Sequence, residues 1–156
     1  MKKILISAVI IAAIYQIYVQ SQPTLTVNKV EGFIASHDVA IENKDYISYK
    51  KHYDLNSNVR YTNQPNISDN KSIAIKKMFK TMRSMWKNGI SFESDVQNRR
   101  IIISGNKQEA IVETVERISI IHNGRQLENT NGVSIVTIKL SEEGLLITDT
   151  EIRGEG

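Results

Sequence analysis

The stretch His37–Asp54, HDVAIENKDYISYKKHYD, decides how the first third of the chain folds. Up to Ile41 it continues an apolar stripe of about 3.6-residue period that begins near Val27, which predicts an amphipathic helix. Asn43-Lys44-Asp45 interrupts the stripe, and Asp45 or Asn43 can cap a second helix by accepting hydrogen bonds from free backbone amides. Tyr53-Asp54 then marks the exit to a short strand at 59–62. The stretch therefore predicts two helices beside a sheet.

A third helix is predicted between a cap at Ser68 or Asp69 and a stop at Asn88-Gly89, where glycine suits the left-handed position after a helix. Its apolar residues share one broad face, which is expected to pack on the sheet. These residues are Ile75, Met78, Phe79, Met82, Met85 and Trp86. Five basic residues occupy much of the remaining surface: Lys76, Lys77, Lys80, Arg83 and Lys87.

After Gly89 the apolar period changes to two, which predicts β-strands. Residues 105–107 (GNK) form a predicted hairpin turn, residues 123–132 (NGRQLENTNG) a longer connection, and residues 141–144 (SEEG) another turn. The pattern predicts four long antiparallel strands after three helices, with one short strand between the second and third helices. This order is typical of an α+β fold in which helices cover one face of a sheet.

Length and composition restrict the class of protein. The chain has 156 residues, which fits one domain with a real core. Its net charge is +3, and two of those charges are Lys2 and Lys3, so the remainder is nearly neutral and a nucleic-acid partner is not expected. Cysteine is absent, which excludes disulfides, thiol nucleophiles and cysteine-ligated zinc. We expect no cofactor.

The N-terminus predicts export. Lys2 and Lys3 precede an apolar run from Ile4 to Val19, as in a secretory signal, and VQS at 19–21 suits cleavage. The alternative is a retained anchor, although a 16-residue helix of about 24 Å is short for a hydrocarbon core of about 30 Å. Either interpretation places the domain outside the cytoplasmic membrane, in a periplasm or the extracellular space. We assign residues 1–21 to the signal or anchor, 22–26 to a linker, 27–153 to the domain and 154–156 to a tail.

The order of elements resembles the NTF2-like (SnoaL-like, ketosteroid-isomerase-like) superfamily. The resemblance is carried by residues 34–62, with the break at Asn43-Lys44-Asp45 and the aromatic Tyr53, and by the final hairpin at residues 131–152. A tryptophan common after the last turn in that family is replaced here by Leu145-Leu146. The resemblance implies a cone of helices and sheet that can hold a small apolar ligand, and it implies homodimers through the open sheet face. One such fold hosts many functions.

The isomerase branch of that family implies a tyrosine and a carboxylate at positions that hold His37 and Tyr61 here. Tyrosine, with a pKa near about 10, is a poor general base, so the isomerase mechanism is not supported. His37 and Tyr61 can still line a pocket with Tyr53, Trp86 and Asp95, or support a dehydratase-type proton transfer. A packing role for His37 is the simpler interpretation.

The other histidines suggest no site. His52 beside Lys50 and Lys51 predicts a solvated cluster, and His122 a loop residue. His37 and His52 are fifteen residues apart, so no metal site is expected.

Three functions remain open. The first is an exported, non-catalytic binding or assembly module, and the second is a membrane-tethered, VirB8-like component of a secretion or conjugation assembly. The third is an isomerase, dehydratase or cyclase that uses the cone. The basic face of the third helix could dock an acidic partner or an anionic membrane, although charged faces are ordinary on surface helices.

Overall fold

A computed structural model of the chain describes residues 23–62 and 71–154. The helices in these ranges are α1 (Val27–Glu42), α2 (Tyr46–Lys51) and α3 (Ile75–Lys87). The strands are β1 (Asn58–Thr62), β2 (Lys71–Ala74), β3 (Ile90–Ile103), β4 (Glu109–His122), β5 (Arg125–Ser141) and β6 (Gly144–Gly154).

The strands form one sheet in the order β2-β1-β6-β5-β4-β3. Neighbouring strands are antiparallel, except that β1 runs parallel to β6. The pairing of β3 with β4 is shifted between Val96 and Asn98, and the pairing of β5 with β6 is shifted between Thr137 and Ile138. Bulges of this kind bend the long strands around the helices, which lie on the concave face.

The predicted α+β class and the four long strands are confirmed, but two details of the sheet differ. β2 was not predicted, because its four residues KSIA carry too little alternation to indicate a strand. The sheet is also mixed rather than wholly antiparallel. The parallel pair arises because α2 and the turn after it return the chain to the end of the sheet where β6 begins.

Two predicted boundaries were wrong. Helix α3 begins at Ile75 with Ala74 at its N-cap and no side-chain cap, whereas Ser68 and Asp69 lie outside the described residues. The connection predicted at 123–132 is a tight turn at Asn123-Gly124, after which β5 begins at once. Both turn residues have positive φ, which asparagine and glycine tolerate best.

The core lies between the helices and the concave face. Its side chains from α1, α3 and the sheet include the fully buried Val30, Phe79 and Ile138. Leu25, which the sequence places in a linker, is 1% exposed, and its backbone amide donates to the carbonyl of Lys107 at 2.8 Å. The chain is therefore attached to the β3–β4 turn before α1 begins.

None of the helices within 23–62 and 71–154 is long and apolar enough to cross a membrane. The proposed signal or anchor at 1–21 lies outside the described residues.

Candidate functional site

Helices α1 and α2 bring His37 and Tyr53 together although they are sixteen residues apart. Thr26 caps α1, and the Asp45 carboxylate caps α2 by accepting from the amides of Ile47 and Ser48, both at 3.1 Å. The helix break predicted at Asn43-Lys44-Asp45 is confirmed, with Asp45 as the cap. The break reverses the chain, so the end of α2 returns along α1.

The His37 imidazole connects a carboxylate to a phenol. Its Nδ1 lies 3.3 Å from Asp38 Oδ1, and its Nε2 lies 2.9 Å from Tyr53 Oη. Because an ionised carboxylate only accepts, Nδ1 carries the proton in the neutral ring, and Nε2 then accepts from the Tyr53 hydroxyl. The His37 side chain is 13% exposed and Tyr53 is 6% exposed, so both groups are largely removed from water.

Asp38 joins this network to the sheet. Arg99 Nη2 on β3 donates to Asp38 Oδ2 at 2.9 Å, and Arg99 Nε donates to Thr114 Oγ1 at 3.3 Å. Burial alone would raise the pKa of Asp38, but hydrogen bonds from His37 and Arg99 outweigh it and lower that pKa. The carboxylate is therefore ionised at neutral pH.

Aromatic rings fill the space around Tyr53. Tyr49 contacts His37, Tyr53 and Trp86, with ring centroids 5.3 to 5.6 Å apart. Phe79 contacts Tyr49 and Tyr53 at 5.8 and 5.5 Å. Most of these pairs are edge-to-face, the arrangement that aromatic rings prefer in packed interiors.

Burial keeps the phenols neutral. It raises the pKa of Tyr49 to about 12 and that of Tyr53 well above its ordinary value. The pKa of Tyr61 is also raised by burial. These hydroxyls can donate hydrogen bonds at neutral pH but cannot act as phenolate bases.

His52 is not the solvated residue that the sequence predicted. Its Nδ1 donates to the Ser48 carbonyl at 2.8 Å, and its Nε2 lies 2.8 Å from the Ser36 hydroxyl on α1. Its ring stands edge-on to His37 at 5.4 Å. Burial lowers the pKa of His52 more than the bond to Ser48 raises it. The sequence predicted an exposed His52 because Lys50 and Lys51 precede it. Those two lysines are exposed, but the His52 side chain is partly buried against α1.

The other predicted pocket residues lie in different parts of the structure. Tyr61 lies on the concave face, in the cross-strand row that contains Arg99, but the phenol bonded to His37 belongs to Tyr53. Trp86 packs on Tyr49, and its buried Nε1 has no hydrogen-bond acceptor among the described residues. Asp95 is exposed opposite Arg117 on the convex face, so it does not join the group.

The predicted basic face of α3 lies on the surface: Lys76, Lys77, Lys80, Arg83 and Lys87 are all exposed. The Arg83 guanidinium lies 5.3 Å from the centre of the Tyr46 ring, a cation–π contact. None of the five forms an ion pair within the described ranges.

Two open grooves lie on the outer side of the helices. One, of about 650 Å³, runs between α2 and the β5–β6 turn and is lined by Ile47, Leu55 and Leu146 among others. The second, of about 520 Å³, separates α1 from α2. Tyr53 also lines the first groove, and His52 lines the second. The described part of the chain holds no cluster of three or more histidine, aspartate or glutamate side chains able to bind a metal.

Sequence reasoning missed Asp38, Arg99 and Tyr49. Asp38 follows His37 directly. A histidine next to an acid within an otherwise apolar helix stripe could have indicated a polar contact at the helix–sheet interface. Arg99 carried no such signal, because the bulge before Asn98 sets which of the arginines at 99 and 100 faces inward.

The fold can be compared with solved structures. The chain is similar to a proposed dehydratase of the NTF2-like family from Streptomyces avermitilis, with 13% identity, TM-score 0.65, and coverage of 83% of this chain and 96% of the other. It is also similar to an NTF2-like protein from Cytophaga hutchinsonii, with 11% identity, TM-score 0.66, and coverage of 84% of this chain and 100% of the other. A third similar structure is the β subunit of benzoate 1,2-dioxygenase from Burkholderia mallei, with 10% identity, TM-score 0.68, and coverage of 86% of this chain and 93% of the other.

The chain therefore has the NTF2-like fold, and the resemblance stated from the sequence is confirmed. Identities this low define the fold alone, because proteins of one fold perform unrelated functions. No protein-family model and no curated protein matches the sequence.

Proposed function

We propose that this chain is an exported NTF2-like domain that acts as a non-catalytic binding or assembly module. The observation that carries the proposal is that the polar groups at His37 are paired with one another and packed against aromatic rings. A pocket for a reacting molecule would need free polar groups, yet His37, Asp38, Arg99 and Tyr53 bond to one another. The Tyr49 ring packs on His37 and Tyr53, and Phe79 packs on Tyr53. Trp86 packs on the other side of this group, against Tyr49. The network fastens the helices to the sheet.

Trp86, the only tryptophan, can report whether a small molecule enters the interior, on which the non-catalytic proposal rests. Its indole packs on Tyr49, so a ligand that enters the cone must change its environment. We expect its fluorescence to stay unchanged when small apolar carbonyl compounds are added, both in the wild type and in His37→Gln. A saturable change in the wild type that His37→Gln removes would show a ligand at the His37 network and would contradict the filled interior on which the non-catalytic proposal rests.

That contradictory result would favour the second candidate, an isomerase, dehydratase or cyclase. The observation in its favour is the chain of contacts Asp38–His37–Tyr53: a ligand that displaced the Tyr53 hydroxyl from His37 Nε2 would meet an imidazole held by Asp38, which could accept a proton from the ligand at Nε2. Its ligand would be small and apolar, and would have to displace the rings beside Tyr53.

Export is part of the proposal and rests on Lys2, Lys3 and the apolar run from Ile4 to Val19. Mass spectrometry of the protein from fractionated cells tests it. A mature chain that begins near Gln22 indicates a cleaved signal, whereas an intact N-terminus in the membrane fraction indicates a tether, as a VirB8-like assembly component requires. Recovery of the intact chain from the cytosol would contradict export.

We also propose a homodimer through the convex face, which no helix covers among the described residues. Ile102 and Ile111 pair directly across β3 and β4 on this face and are 43% and 40% exposed. Sedimentation should give a dimer in the wild type and a monomer in Ile111→Lys. Leu127→Lys, which alters a side chain that is 58% exposed, is the control and should remain dimeric. A monomeric wild type would refute this proposal.

A further inference from the structure

Charge is segregated along the chain. The segment from Lys71 to Lys87, which comprises β2 and α3, carries six of the twenty lysine and arginine residues and none of the seventeen acidic residues. The rest of the chain has fourteen basic and seventeen acidic residues, so it is net acidic. The domain thus has one cationic element on an otherwise acidic body, which the net charge of +3 conceals.

Four of these cations form one line. Lys76, Lys80, Arg83 and Lys87 are spaced by four, three and four residues, so they project from one side of α3. The line extends over eleven residues, or about 17 Å at 1.5 Å per residue. Their side chains are exposed, and no described acidic group pairs with them.

The kind of cation indicates the kind of partner. Three of the four are lysines, which act as hydrated point charges without a preferred plane, whereas arginine is favoured where a carboxylate is held by two parallel hydrogen bonds. The single arginine, Arg83, is stacked on Tyr46. A straight line of lysines suits a flat surface of diffuse negative charge better than a shaped acidic pocket of a protein.

We propose that this cationic line of α3 lies on an anionic phospholipid bilayer. The inference rests on the tethered form of the proposed function, in which the apolar run from Ile4 to Val19 holds the domain at a membrane. The first described residues are fixed to the domain, since Gln108 Nε2 donates to the Pro23 carbonyl at 3.0 Å. Only residues 20–22 separate the apolar run from Pro23, so a membrane is an anionic surface that the domain can reach.

The test uses the full chain in vesicles and exploits its lack of cysteine. Ser84→Cys places a fluorophore beside the cationic line, and Asn98→Cys places the same fluorophore on the convex face; both native residues are exposed. Vesicles contain phosphatidylglycerol and phosphatidylcholine, or phosphatidylcholine alone, each with a headgroup-attached quencher. We expect quenching at Ser84→Cys only with phosphatidylglycerol, and its loss in high salt, because salt screens charges beyond roughly 10 Å at 0.1 M.

Matched charge changes complete the test. Lys80→Gln with Lys87→Gln should abolish the quenching at Ser84→Cys. Lys50→Gln with Arg100→Gln removes two exposed positive charges that lie neither on α3 nor beside Pro23, and should preserve the quenching. If the chain sediments with the vesicles but Ser84→Cys is quenched no more than Asn98→Cys, the lipid contact is refuted while tethering stands. If the full chain does not sediment with vesicles at all, tethering fails and the inference fails with it.

Discussion

The hydroxyl of Tyr53 should contribute measurably to stability, and Tyr53→Phe removes only that hydroxyl. It donates to His37 Nε2 at 2.9 Å, and the His37 side chain is 13% exposed. A buried acceptor left without a partner costs about 1–3 kcal/mol, and because water reaches His37 poorly we expect about 2 kcal/mol. With a urea m-value of about 2 kcal/mol per molar, the unfolding midpoint should fall by about 1 M.

Tyr46→Phe is the matched control, because the Tyr46 hydroxyl has no side-chain partner in the part of the chain that the structure describes. Its effect should stay within about 0.5 kcal/mol. The double variant His37→Leu/Tyr53→Phe replaces both partners and should be less destabilised than the sum of its single variants. A Tyr53→Phe protein as stable as the wild type would refute the interpretation of this network as a structural fastening.

Three further predictions concern single positions. The pKa of Asp38 is lowered in the folded state, so its stabilising effect should be complete above about pH 4, the unfolded pKa, and should disappear as pH falls through the folded pKa. Urea titrations should therefore show that the stabilities of the wild type and Asp38→Asn converge only in acid. A difference in stability that stays constant with pH would contradict this. Asp45→Ala should lower the thermal midpoint while Asp45→Asn, which keeps a capping oxygen, lowers it less; equal losses would argue against the cap. Gly32→Ala, whose new Cβ meets nothing within 4 Å in α1, should stabilise by about 0.5–1 kcal/mol. By contrast, Gly89→Ala, at φ +76° and facing Asn123, should destabilise by about 1–2 kcal/mol. If chemical denaturation showed Gly89→Ala to be more stable than Gly32→Ala, both predictions would be refuted.

The parts of the fold that follow from local chemistry could be predicted from the sequence. Asp45 identifies the helix break because its side chain caps α2, and the alternation after Gly89 identifies the long strands. β2 could not be predicted, since four mostly exposed residues acquire a strand conformation only by pairing with β1. The β4–β5 turn was placed too broadly because RQLENT is polar, although it continues β5 as an exposed strand.

The candidate site depended on contacts that sequence spacing does not encode. The family resemblance predicts that His37 lies beside Tyr61, whereas the chain reversal after Asn43 brings Tyr53 to His37 instead. Arg99 reaches Asp38 across 61 positions because a bulge in β3 turns its side chain inward. Such long-range polar contacts become evident only once the sheet register is known.

The proposed function requires that the His37–Tyr53 contact be a hydrogen bond shielded from water and from ligands. Proton NMR of the full chain tests it directly, since a hydroxyl proton shielded from water exchanges slowly enough to be observed. We predict a Tyr53 hydroxyl resonance with a cross-peak to the His37 ring, absent in Tyr53→Phe and unchanged by small apolar ligands. A hydroxyl that exchanges rapidly with water, or a His37 ring that contacts added ligand, would show that the network is open and would contradict the proposed function.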